Sequence, residues 1–239
     1  MGRIKTYIKD LDTFIEGGIP EGHIVLITGT PGTGKSILCS QILHKNALEG
    51  KKCLYLNLEQ DSGRLEHQMS VCGWDATKTK NLKIISLDAD NSDLTNFLLT
   101  EIAKVKYDLI CLDSLDSIST NPVNPMDLTM KFEGSMVPLA PENVNRLRLK
   151  SVFKALSKSK ATVLLTSEKV ENQVGLTRDT ISEFLCDGII ALYYLGVGSS
   201  EFRSMQILKM RSSAHEKGFI LFEIGKNGIV LKKKEDAFK

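Results

Sequence analysis

Residues 24–36, Ile24-Val25-Leu26-Ile27-Thr28-Gly29-Thr30-Pro31-Gly32-Thr33-Gly34-Lys35-Ser36, join an apolar run to a glycine-rich turn. A helix-like pattern opens at Ile37. Strand, glycine turn and helix, in that order, are the setting in which G-x-x-x-x-G-K-S works as a phosphate-binding loop. Gly29, Gly32 and Gly34 leave room for backbone to wrap a polyphosphate, with Thr30, Pro31 and Thr33 between them. The amides around them and around Ile37 open a helix, whose N-terminus favours anions. Lys35 supplies a point charge for the β- and γ-phosphates, and the Ser36 hydroxyl is a hard oxygen ligand for Mg²⁺. The stretch reads as a nucleoside triphosphate site.

Working outward, the 239 residues suit one α/β domain over 1–239, long enough to bury a full core. Hydrophobic content of 42% and charged content of 25% are those of a globular protein, and a net charge of +2 exerts no global pull toward nucleic acid or membrane. The first ten residues are mixed and charged, unlike a signal or transit peptide, and no apolar run reaches bilayer-spanning length. A cytoplasmic protein without membrane insertion is expected. Five scattered cysteines without a C-x-x-C pair argue against a disulfide framework or a zinc site.

In chain order, strands are expected at 24–27, 53–58, 82–87, 108–112 and 161–165, each a short apolar run of the kind buried on both faces in parallel sheets. Helices are expected at 37–49, from about 62 to 71, and at 142–159. A further helix capped by Ser92 carries Leu94, Phe97, Leu98, Ile102 and Val105 at helical spacing. Residues 117–141, with four prolines, read as a long loop. Residues 187–232 change rhythm to strand-like runs joined by short turns, an antiparallel extension of the parallel core.

Asp113 ends an apolar strand, where phosphate-loop enzymes place a Mg²⁺-associated carboxylate. Glu59 ends the strand after the loop helix, where a carboxylate can orient or deprotonate a water attacking the γ-phosphate; its neighbour Gln60 can hold a water but not act as a base. Lys209 and Arg211 are two apart on a strand and so share a face, a cation pair suited to phosphate charge, or otherwise a solvated strand edge. Six basic residues and no acid between Arg146 and Lys160 suggest a docking face or simply a solvated helix.

Taken together, Leu11-Asp12, GGIPEG (17–22), GTPGTGKS (29–36), CGWD (72–75), LICLDS (109–114), SEFLCDGII (182–190) and ILKMRSSAHEKG (207–218) make the chain resemble the KaiC-like ATPases of the RecA/RadA superfamily. The resemblance implies a RecA-like, mostly parallel sheet flanked by helices, and a homo-hexameric ring with ATP and Mg²⁺ between subunits. It implies that Glu59 activates water, and that Lys209, Arg211, Ser213 and His215 reach the adjacent subunit's nucleotide. It leaves two other functions open. One is an ATP-binding switch or scaffold of the FlaH type, acting on a protein partner with little hydrolysis. The other is a RadA-like DNA-binding protein.

Overall fold

A computed structural model describes residues 2–59, 61–91, 93–121, 129–132, 135–138, 140–169, 175–197 and 200–232. The chain opens with β1 (Arg3–Ile4), α1 (Leu11–Phe14) and β2 (Ile19–Pro20), then β3 (Ile24–Gly29) and α2 (Lys35–Leu48). Next come β4 (Cys53–Asn57), α3 (Ser62–Val71), β5 (Leu82–Ser86), α4 (Leu94–Lys104), β6 (Leu109–Asp113) and α5 (Asp116–Thr120). A hairpin of β7 (Thr129–Phe132) and β8 (Ser135–Pro138) precedes α6 (Pro141–Ser159), β9 (Thr162–Glu168) and α7 (Ser182–Leu185). Four strands finish the fold: β10 (Gly188–Val197), β11 (Ser200–Met210), β12 (Ile220–Gly225) and β13 (Gly228–Leu231).

Nine strands form one sheet in the order β13-β12-β11-β10-β3-β9-β6-β4-β5. From β10 to β5 all pairings are parallel, and β11, β12 and β13 add antiparallel on the other side. The inner parallel strands β3, β4, β6 and β9 are buried on both faces, which explains their apolar sequences, whereas the edge strand β5 is only partly covered. Alternate residues feed two cores. Val25, Ile27, Tyr55, Cys111 and Leu164 pack with Leu38, Ile42 and Leu43 of α2. Leu26, Leu54, Leu56, Ile110 and Leu165 pack with Leu98 and Ile102 of α4 and with Leu149, Val152 and Leu156 of α6. The RecA-like parallel sheet with an antiparallel C-terminal extension is therefore the observed architecture. All five cysteines are buried and unpaired.

Several boundaries differ from expectation. The stretch 117–141 is not simply loop: α5 begins it and the β7–β8 hairpin pairs Thr129 with Pro138 and Phe132 with Ser135. Four-residue strands are too short to carry a legible period. In α4 the expected apolar face is narrower, because Phe97 is 44% exposed and Val105 lies past the helix in extended backbone. Ser92 and Gln60 lie outside the described residues. On the basic helix, Arg148 is buried and its guanidinium donates to Asn121 O and Oδ1 at 3.3 and 3.2 Å. Among the described residues, no helix is long and apolar enough to cross a membrane.

The antiparallel extension is tied to α2 by one side chain. Gln41 of α2 donates to Ile229 O at 3.3 Å and accepts from Ile229 N at 2.7 Å. Gly228 beside it has φ +96°, and a Cβ there would sit 2.5 Å from the Trp74 ring and closer still to Gln41 Oε1. Gly228→Ala is therefore expected to lower stability by about 2–4 kcal/mol, since the added methyl is both strained and overpacked. Urea denaturation followed by Trp74 fluorescence checks this.

Candidate functional site

The parallel register decides which residues meet. Gly29 pairs with Glu168, Ile27 with Thr166, Leu112 with Leu165 and Asn57 with Asp113. The C-terminal ends of β3, β9, β6 and β4 thus form one edge. The glycine-rich loop 29–36, Asp113 and Glu59 all belong to it.

The loop is held from within. Lys35, 9% exposed, donates its ammonium to Gly29 O at 2.9 Å and Thr30 O at 3.2 Å. The Thr33 hydroxyl donates to Thr30 O at 2.8 Å. Gly34 caps α2 in a left-handed conformation, φ +104°, and a Cβ there would lie 2.9 Å from Ile224 Cδ1. Pro31 and Gly32 are exposed, whereas Ser36 and Ile37 are half-buried at the start of the 14-residue helix. Beside Ile37 opens a cleft of about 480 Å³ lined in part by Arg64, Val71, Ile224 and Lys226.

Asp113 is 2% exposed, and hydroxyls from the two flanking strands satisfy both of its carboxylate oxygens. Tyr55 donates to Oδ2 at 2.5 Å, and Thr166 donates to Oδ1. Burial, with the Asp113 charge adding, pushes the Tyr55 phenol well above its ordinary pKa, so it stays a donor. One step along, Asp116 accepts from the Ser167 hydroxyl at 2.9 Å and from Glu168 N at 2.6 Å. Burial raises the Asp116 pKa. Arg178 reaches Glu168 at 3.8 Å. Glu59 faces this group: desolvation first, opposed by the nearby Ser114 hydroxyl and then reinforced by Asp113, Glu168 and Asp116, raises its pKa.

Tyr55, Thr166 and Asp116 were not singled out in the sequence. The Asp-Ser-Leu-Asp run at 113–116 was the available signal for Asp116. Nothing local marks Tyr55 or Thr166, whose roles exist only through strand register.

The remaining expected residues lie elsewhere. Gly188 pairs with Val25 on one side and Met210 on the other, whereas Gly29 pairs with Leu192. Four residues of β10, about 13 Å of strand at ~3.3 Å each, separate these levels. Lys209 and Arg211 therefore sit at the opposite edge of the sheet from their own phosphate loop. Arg211 falls one residue past β11, where its N–H still donates to Asp187 O at 2.9 Å, and the buried Met210 lies between Lys209 and Arg211. Lys209 donates to Cys186 O at 2.5 Å and Glu183 O at 3.4 Å, and Arg211 bonds Asp187 Oδ1 at 3.1 Å. Burial, with the Arg211 charge adding, lowers the Lys209 pKa. Ser213 accepts from Arg3 at 2.7 Å and donates to Glu16 at 3.0 Å, and the His215 ring lies 3.1 Å from Glu216 O.

The donor set fits a triphosphate better than a bare metal. Among the described residues no group of three or more His, Cys, Asp or Glu could hold an ion alone. A cation at Ser36 and Asp113 would thus complete its shell with phosphate oxygens and water, as Mg²⁺ does. The glycine cradle, with Lys35 at its base, suits the phosphates themselves.

Fold and loop together define a RecA-like phosphate-loop ATPase domain. The KaiC ATPase family model matches residues 4–131 and 134–236, and the chain belongs to that family as a single KaiC-like domain. Similar proteins include a UPF0273 protein of Methanocaldococcus jannaschii, 29% identical over 97% of this chain and 96% of its own length. The circadian clock protein KaiC3 of Synechocystis sp. is 26% identical over 96% of this chain, which spans 45% of that longer protein. A KaiC-like protein from Pyrococcus horikoshii OT3 has a solved structure that superposes with a TM-score of 0.80 at 29% identity, covering 97% of this chain and 99% of the other.

Asp113→Ala would leave two buried hydroxyls without their acceptor. The expected loss of stability is about 2–5 kcal/mol, measurable by chemical denaturation without nucleotide. An unchanged midpoint would show that the carboxylate does not brace this edge.

Proposed function

We propose that the chain is a Mg²⁺-dependent ATPase that assembles head to tail into a ring, with ATP between adjacent subunits. The observation that carries this reading is the split of the site residues between two edges of one sheet. The phosphate loop, Asp113 and Glu59 line one edge, and Lys209 and Arg211 lie about 13 Å of strand away at the other. One subunit cannot apply both sets to one nucleotide, but two can. The hexameric state, the Mg²⁺ requirement and a cytoplasmic setting, which suits buried unpaired cysteines, belong to the same proposal.

In this arrangement the loop amides, at 29–36 and Ile37, and Lys35 bind the phosphates and neutralise their charge. Ser36 and Asp113 would hold Mg²⁺, which when bound supplies further charge neutralisation at the phosphate oxygens. Glu59 orients a water and takes its proton, a role helped by a pKa raised through desolvation. The neighbour's Lys209 and Arg211 face the charge that develops on the transferring group, with Ser213 and His215 from the same segment beside the nucleotide. No acid offsets the basic face formed by Arg146, Lys150, Lys154 and Lys158 among the described ion pairs, and an acidic protein partner would suit it.

Steady-state ATP turnover tests the roles. Glu59→Gln is expected to lose about 100-fold or more, and Arg211→Ala a comparable amount. Mixing the two inactive variants should restore roughly a quarter of the sites, because half the loops retain Glu59 and half of those meet an intact Arg211. Absence of recovery, with assembly intact by light scattering, would refute the shared site. Nucleotide binding with flat turnover in every variant would instead identify an ATP-binding switch.

The pH dependence follows from the sign of the Glu59 shift. As a base Glu59 works deprotonated, so its raised pKa makes turnover fall on the acid side at a higher pH than an ordinary glutamate would. A turnover profile with no acid limb above the ordinary glutamate range would exclude that role.

A further inference from the structure

A pair of side chains on β10 and β11 approaches the tip of the phosphate loop from outside, one touching the loop and the other behind it. Tyr194 of β10 donates its phenol proton to Gly32 O at 2.6 Å. Arg203 of β11 is the registered partner of Tyr194, lies 5.0 Å over its ring and donates from Nη2 to the phenol oxygen at 3.0 Å. The polarity of this chain is forced. A guanidinium can only donate and a carbonyl can only accept, so the phenol must accept from Arg203 and donate to the loop. A charged donor on the phenol oxygen strengthens the phenol's own donation.

The contact has a consequence for the loop. Thr33 anchors the same peptide from inside, its N–H at 3.4 Å and its hydroxyl at 2.8 Å from Thr30 O. With the Gly32 carbonyl turned out to Tyr194, the tip cannot rotate that carbonyl into the cradle, where it would repel a phosphate. Tyr194 is 40% exposed, so its hydroxyl contributes little to core packing. Its hydrogen bond bears on loop geometry more than on global stability.

We infer that Tyr194 and Arg203 form a latch that pre-organises the phosphate loop, Tyr194 acting on the loop and Arg203 acting through Tyr194. Both are positioning residues, and the inference rests on the nucleotide-binding reading of the loop. It assigns part of the nucleotide affinity to strands far along the chain from the glycine motif.

Fluorescence titration with mant-ADP, on the full chain, tests this with wild type, Tyr194→Phe, Arg203→Ala, Arg203→Lys and the Tyr194→Phe/Arg203→Ala pair. Tyr194→Phe should bind about three- to tenfold more weakly, the equivalent of one neutral hydrogen bond. Arg203→Ala should weaken binding to a similar or smaller degree, Arg203→Lys should recover part of it, and the double variant should bind no more weakly than Tyr194→Phe alone. Melting temperatures without nucleotide should stay at the wild-type value. If wild type binds and Tyr194→Phe binds equally well, the latch is wrong while the nucleotide site stands. Additive losses in the double variant would also overturn it, by showing Arg203 acting on the nucleotide directly. If wild type itself fails to bind mant-ADP, the nucleotide reading falls and the latch with it.

Discussion

The shared parallel register of β3, β9, β6 and β4 is the constraint on which the site depends. A one-residue slip in any of these strands would turn its side chains to the opposite face, and the two cores fed by alternate residues oppose such a slip. With register fixed, the phosphate loop and the carboxylates at the ends of β4, β6 and β9 must emerge on one edge. Asp113 reinforces the alignment. Its two oxygens accept hydroxyls from β4 and β9, the strands on either side of its own. The carboxylate thereby cross-links three strands at the point where they open into the site.

The antiparallel extension acts on the same loop from its other side. Ile224 of β12 packs where a Cβ on Gly34 would sit, Gln41 binds the backbone of β13, and Tyr194, held by Arg203, reaches Gly32. The strands after residue 187 thus brace both the loop and its helix, and they do more than widen the sheet. β11 has a further property. It runs from Arg203, next to its own phosphate loop, to Met210, one residue before Arg211 at the far edge. A single strand therefore connects the two edges that the proposed function assigns to two different nucleotides.

Local signals made the central motif readable. Glycines, the lysine and the apolar strand are contiguous in 24–36, and the physics of anion binding at a helix N-terminus acts over those same residues. Glu59 and Asp113 were readable because strand ends are marked where an apolar run stops. Tyr55 was not, since inside the apolar run 53–58 it looks like one more buried residue until β6 is laid beside it. Tyr194 was hidden in the same way inside β10. Arg148 looked like part of a charged face because it is one of five basic residues on the helix, yet packing turns it inward to Asn121. The level of Lys209 and Arg211 relative to the loop was hidden as well, because it exists only through the pairing of β10 with β3 and β11.

The charge distribution carries the argument from fold to assembly. Glu59, Asp113, Asp116 and Glu168 crowd one edge, and Arg178 is the basic group placed against them at 3.8 Å from Glu168. Burial first, with neighbouring like charges adding, disfavours ionisation of Glu59 and Asp116. A polyphosphate brought to the same edge adds more negative charge, so it needs cations beyond Lys35. The chain holds such a pair, Lys209 and Arg211, at the opposite edge, where Arg211 is paired with Asp187 and Lys209 donates to the Cys186 carbonyl. Self-association that matches one edge to the other is heterologous by construction, because the two surfaces differ, and a heterologous contact gives a ring where the rotation closes and an open filament where it does not. The electrostatic need of the nucleotide edge and the position of these cations thus suit the proposed head-to-tail contact, in which each subunit would both bind a nucleotide and complete its neighbour's site.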